Sequence, residues 1–140
     1  EVVKEYAHNS AYGSEISFLG SVPREDVVRL YSCCELMAFP SLFEGFGLPL
    51  LEAMSCGAPV ICSNTTSLGE IAQDYAVTFD PTDPDAICEA LVRVLDEDST
   101  QRIERGKAYA ATFSWDRAAI DVLKVYDKCV SNETLQSMRS

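Results

Sequence analysis

Nine residues of the chain carry the types and spacing that could do chemistry: Glu44-Gly45-Phe46-Gly47-Leu48-Pro49-Leu50-Leu51-Glu52. Gly45 and Gly47 lack a Cβ, so a ligand can approach the backbone closely and the amides of Phe46, Gly47 and Leu48 can point at it. If a helix starts here, that is an anion site at its N-terminus. Glu44 would lie in the loop before the helix and Glu52 about a turn and a half inside it. A carboxylate accepts two hydrogen bonds in a fork, which matches the adjacent hydroxyls of a sugar or a ribose. An anion between the amides with hydroxyls at either end is the outline of a nucleotide sugar. The same residues taken singly have a plainer reading. A glutamate near a helix start favours the macrodipole, and one within a helix usually faces water.

The surrounding elements must put that loop at the mouth of a sheet. Leu36 to Pro40 is a brief apolar run stopped by proline, predicted as a strand buried on both faces of a parallel sheet. Gly47 to Cys56 follows as a helix, with Pro49 tolerated in its first turn and Gly57 where a left-handed C-cap belongs. Pro59 to Cys62 and Ala76 to Phe79 read as further buried strands, and Ser14 to Gly20 as a strand preceding them. Helices are predicted from Glu1 to about Ala7 and from Pro23 onward with Val27, Val28, Leu30 and Tyr31 on one face. Ser67 and Glu70 fit a capping box opening a short helix to about Tyr75. Three helices end the chain: Pro84 to about Leu95, about Thr100 to Phe113, and Trp115 to about Val130 behind Ser114 as N-cap. The last carries Trp115, Ala118, Ala119, Val122, Leu123 and Tyr126 as one stripe and should dock on something. Alternating strands and helices predict an α/β fold, a Rossmann-like parallel sheet of four strands. Ligands in such sheets bind beyond the carboxyl ends of the strands, where the Glu44 loop would lie.

Composition narrows the partners. Twenty-two acidic against eleven basic residues give a net charge of −11, the wrong sign for a phosphate backbone or an anionic lipid surface. Nucleic acid and direct membrane contact are therefore not expected. The six cysteines form no CxxC pair and His8 is the single histidine, so no metal site is predicted. A reduced chain in the cytoplasm is expected. Asp83-Pro84-Asp85 has a metal-binding spelling, but directly before a helix it reads as N-cap, first position and first turn. No lysine or arginine occurs between Arg29 and Arg93. The chain opens inside a helix with no strand ahead of it, which predicts a domain whose first strands lie elsewhere.

The joint pattern of Glu44 to Glu52 resembles the E-x7-E signature of retaining glycosyltransferases with the two-domain GT-B architecture. That group contains sucrose synthases and many bacterial mannosyl- and glucosyltransferases. Phe18-Leu19-Gly20, Val22-Pro23 and Leu30-Tyr31 look like its strand and helix ahead of the signature, Glu52 to Val60 like its continuation, and Phe113-Ser114-Trp115 like the element before its final helix. The resemblance implies a partial C-terminal domain, residues 1–140 forming one truncated nucleotide-sugar donor-binding unit. It implies that Glu44 is the catalytic residue, contacting donor-sugar hydroxyls, that Glu52 holds the ribose, and that Gly45, Phe46, Gly47 and Leu48 bind the sugar and diphosphate. Transfer of a hexose would be retaining and independent of metal or cofactor, from a nucleoside diphosphate sugar to an acceptor sugar or lipid-linked glycan. The acceptor would be bound by a domain outside this chain, and the full enzyme would be at most peripheral at the inner membrane face. The family's basic pair and acceptor domain precede this region, in segments the chain lacks, so the chain alone should be inactive; with the first strands also lying elsewhere, it should self-associate through its truncated edge or final helix. Two other classes stay open: a nucleotide-sugar epimerase or phosphorylase on the same architecture, and a non-catalytic acidic α/β interaction module.

Overall fold

The computed structural model describes residues 2–131, and its order of elements follows the punctuation of the sequence. Helix α1 (Val2–His8) and a 3-10 turn (Gly13–Glu15) precede α2 (Arg24–Cys33), β1 (Met37–Phe39), α3 (Leu48–Cys56) and β2 (Val60–Ser63). Then come α4 (Thr66–Ala72), β3 (Val77–Phe79), α5 (Pro84–Asp96), α6 (Thr100–Ala110) and α7 (Trp115–Ser131). The strands are short because proline stops β1 at Pro40 and holds off β2 until after Pro59. They pair in parallel in the order β1-β2-β3, with Ala38 beside Ile61 and Cys62 beside Thr78.

Alternation along β2 divides the core. Val60 and Cys62 face Leu50, Ala53 and Met54 of α3, Leu68 and Ile71 of α4 and Ala110 of α6, whereas Ile61 joins Val77, Phe79 and, from α5, Ala90 and Val94. Helices thus cover both faces of the sheet. Leu50, Ile61 and Leu68 are fully buried, each stabilising the fold by about 1.5–3 kcal/mol relative to exposure. Burial also pushes the Cys62 thiol up to about 12, so it packs as a neutral hydrophobe.

Helix ends follow their caps. The Asp83 carboxylate accepts from the amides of Asp85 (3.0 Å) and Ala86 (3.3 Å), and Ser114 Oγ accepts from Arg117 at 3.1 Å. Gly57 closes α3 at φ +82°. This accounts for Asp83-Pro84-Asp85 as a helix start.

Three expectations are corrected. Among the described residues three strands form, not four: residues 16–20 run on without a ladder partner there, and Ile16, Phe18 and Leu19 are exposed. A strand exists only by pairing, and the composition of that segment says nothing about whether a neighbour is there. Strand β1, predicted buried on both faces, is a half-buried edge with Ala38 exposed. The Ser67–Glu70 capping box does not form: α4 starts at Thr66 with Thr65 as its N-cap, two residues earlier than Ser67 as cap requires, and the Ser67 hydroxyl goes to the Glu44 carbonyl. Helix α7 leaves its stripe exposed among the described residues, with Trp115 80%, Leu123 59% and Tyr126 62% exposed, although Trp115 and Ala118 line the same groove as Arg24 and Phe46. Glu1, the predicted start of α1, lies outside the described residues.

Candidate functional site

The loop from Ser41 to Gly47 leaves the carboxyl end of β1 and delivers the chain into α3. Gly47 is the N-cap of that helix and sits in the left-handed region at φ +98°, ψ +46°. A Cβ there would come within 2.6 Å of Leu68 Cδ2, so the position needs glycine for its backbone angle and for the close approach of α4. The amides of Phe46, Gly47 and Leu48 donate to no acceptor in the chain among the described residues, and Pro49 has no N–H to offer. The free donors of the helix start are therefore concentrated at the three predicted positions. Gly45 is exposed, with open space where a side chain would be.

Glu44 and Glu52 stand on either side of this start. Neither carboxylate has an ion-pair partner among the described residues. Glu52 opens into a groove of about 410 Å³ whose walls include Phe46, Leu48, Tyr31, Arg24 and Phe113. Glu44 and the two glycines are not part of those walls. Phe46, Leu48 and Glu52 thus share one groove, while Glu44 is set apart on the side where α4 meets the loop. The Tyr31 phenol beside the groove is held above its ordinary range, first by burial and then by the negative charge of Glu52.

What fixes the loop was not predicted. Among the described residues, no backbone-to-backbone hydrogen bond involves residues 41–46. Hydroxyls take their place. Thr65 Oγ1 donates to the carbonyl of Leu42 at 3.2 Å, Ser41 Oγ to that of Phe43 at 3.2 Å, and Ser67 Oγ to that of Glu44 at 2.9 Å. The Glu44 amide donates to Thr66 Oγ1 at 3.2 Å. Beneath them the buried Ser63 hydroxyl donates to Phe39 O at 3.4 Å, tying the ends of β1 and β2 together.

On the groove side, aromatic rings form a chain. Phe46 meets Phe113 edge to face with centroids 6.0 Å apart, Phe113 meets Tyr109 at 5.1 Å, and Tyr109 stacks on Tyr75 at 4.4 Å. Arg24 is a second feature the sequence did not reveal. The nearest cations along the chain are far from Glu52, but the packing of α2 on α3 brings Arg24 to the same groove. The proline and acidic pair around the start of α2 mark a helix end, and no spacing rule ties that end to Glu52.

Residues 1–111 match the family model described as Glycosyl transferases group 1. An O-antigen chain mannosyltransferase B from Escherichia coli is 46% identical over 113 residues, which are 79% of this chain and 30% of that protein. A D-inositol 3-phosphate glycosyltransferase from Salinispora tropica is 37% identical over 120 residues, 83% of this chain and 25% of that protein. Among solved structures, the sucrose-phosphate synthase of Thermosynechococcus elongatus superposes with a TM-score of 0.76 at 27% identity, over 93% of this chain and 33% of that one. The chain thus spans about a quarter to a third of the length of these relatives. The parallel α/β layer described above is that of the GT-B glycosyltransferase fold.

Proposed function

Because the chain belongs to the group 1 glycosyltransferase family, we propose that it forms the donor-binding part of an enzyme that moves a hexose from a nucleoside diphosphate sugar to an acceptor. The observation that carries this reading is the left-handed Gly47 opening α3, with three amides and two flanking carboxylates that find no hydrogen-bond acceptor or ion-pair partner, respectively, among the described residues. The amides of Phe46, Gly47 and Leu48 receive the diphosphate at the helix start, where the macrodipole favours negative charge. Glu52 accepts hydrogen bonds from the ribose hydroxyls in the groove that Arg24 also lines. Gly45 leaves the donor sugar room, and Glu44 accepts from its hydroxyls.

As the bond from the anomeric carbon to the diphosphate breaks, the electron pair goes to the diphosphate oxygen. The acceptor hydroxyl oxygen forms the new bond to the anomeric carbon and passes its proton to the departing diphosphate oxygen. Donors fixed before the reaction stabilise the charge growing on the leaving group without reorganising. Stereochemistry at the anomeric carbon is retained, and the chemistry needs no metal or cofactor. The acceptor, a sugar or lipid-linked glycan, is bound outside this chain. The enzyme works in the cytoplasm or at the inner face of the membrane. No helix among the described residues is long and apolar enough to cross a bilayer.

Kinetics of the full-length enzyme test the assignment. Glu52→Ala should raise the donor KM about tenfold, and Glu44→Ala should mainly lower kcat by about 100-fold, as expected for ground-state and transition-state contacts respectively. Unchanged kinetics in both variants would refute it. An epimerase or a phosphorylase is distinguished by product analysis with and without acceptor, and an interaction module by the absence of any turnover.

A further inference from the structure

We propose that Thr66 and Ser67, at the start of α4, are positioning residues that fix the backbone of Glu44 for its work on the donor sugar. The inference rests on the role given to Glu44 above and adds what holds that residue in place.

Glu44 lies in a loop with no regular backbone bonding, where a carboxylate would ordinarily wander with its main chain. Both of its backbone groups are nevertheless taken, the N–H by Thr66 Oγ1 and the carbonyl by Ser67 Oγ, from residues 22 and 23 positions along the chain. Thr65 takes the carbonyl of Leu42 at 3.2 Å, so three consecutive hydroxyls of one element hold three points of the loop. Thr65, the N-cap residue of α4, spends its hydroxyl on Leu42 and not on the helix, so the helix start forgoes a side-chain cap.

Thr66 adds a second, separate observation. It has φ +50°, a left-handed conformation that is unfavourable for a β-branched side chain. Neither glycine nor asparagine, which relax such a position, stands there. A threonine in that conformation sets its hydroxyl against the Glu44 amide, and local strain of this kind persists only where the surroundings over-determine it. Gly47 packed on Leu68 of the same helix completes the contact, so α4 and the loop form one unit.

The test uses the full-length enzyme with Ser67→Ala, Thr66→Val and Thr66→Gly, together with the hydroxyl-retaining Ser67→Thr and Thr66→Ser. The hydroxyl-less variants should lose about tenfold in kcat with donor KM nearly unchanged, because a small displacement of a reacting group is costly while ground-state binding is spread over other contacts. The hydroxyl-retaining variants should recover most of that loss. Thr66→Gly separates positioning from folding: relief of the φ strain should leave its thermal midpoint at or above the parent's while kcat still falls. Unchanged kcat in the hydroxyl-less set overturns the inference, as does an equal loss in the hydroxyl-retaining pair. Glu44→Ala, assayed alongside, locates a failure. If Glu44→Ala loses turnover and the clamp variants do not, only this inference falls. If Glu44→Ala is silent, the role of Glu44 falls and the inference with it.

Discussion

At the scale of single residues, Gly47 constrains the site more tightly than either glutamate. Its φ of +98° lies where only glycine is relaxed, and the space a side chain would need is held by a methyl of the fully buried Leu68. Either penalty alone could be absorbed by a small shift. Together they oppose each other's remedies, since rotating the backbone to relieve the angle moves the loop that Thr66 and Ser67 hold. Gly47→Ala should therefore destabilise the chain by about 2 kcal/mol, the sum of backbone strain and overpacking. The urea midpoint should drop with an unchanged slope. A midpoint equal to the parent's would mean that the loop can yield. Gly45, with open space around it, should tolerate alanine far better.

At the scale of elements, the turns between successive elements contribute to the acid sensitivity of the fold. The Asp98 carboxylate is held below its usual range by the Thr100 hydroxyl and amide ahead of α6, and Asp80 by those of Thr82 behind β3. Glu97, between α5 and α6, is lowered chiefly by its hydrogen bond from Arg102. A depressed folded-state value means that these contacts stabilise fully above the unfolded carboxylate range, and that this stability is lost as pH falls through the folded value. The net charge of −11 works the other way, because protonation relieves repulsion, so a bare pH scan mixes two effects. Comparing parent with Asp98→Ala by urea denaturation removes the shared charge term. The parent's advantage should be constant above about pH 5 and shrink below about pH 4. An advantage that grows on acidification would contradict the assigned contacts.

At the scale of the whole molecule, two apolar features have no cover among the described residues. The stripe of Trp115, Val122, Leu123 and Tyr126 on α7 lies exposed, and β1 pairs on one side only among the described residues. A stripe of exposed large apolar side chains on one helix is usually covered. A second copy is the occupant a purified chain has available, and the opposing force is the repulsion between two bodies of charge −11. That repulsion is screened over about 10 Å at 0.1 M salt, so association should strengthen as salt rises. Sedimentation velocity should show a concentration-dependent dimer that Leu123→Asp on α7 weakens. A strict monomer at high concentration and high salt would end this expectation.

Much of this protein follows from local physics that sequence alone expresses. The Pro40 and Pro59 breaks, Gly57 as a left-handed cap, Asp83 and Ser114 as N-caps, and the apolar runs of β1, β2 and β3 each depend on interactions within a few residues. The helix start with free amides between Glu44 and Glu52 is local for the same reason, and so could be read directly. The rest depends on which segments meet, and no spacing rule encodes that. Residues 16–20 have the composition of a strand and lack a ladder partner among the described residues. Arg24 reaches the groove of Glu52 only because α2 packs on α3. Ser67 looks like a cap by its neighbours, but its hydroxyl goes to Glu44, 23 residues away, because a loop without backbone bonds must satisfy its polar groups from whatever element the fold brings beside it.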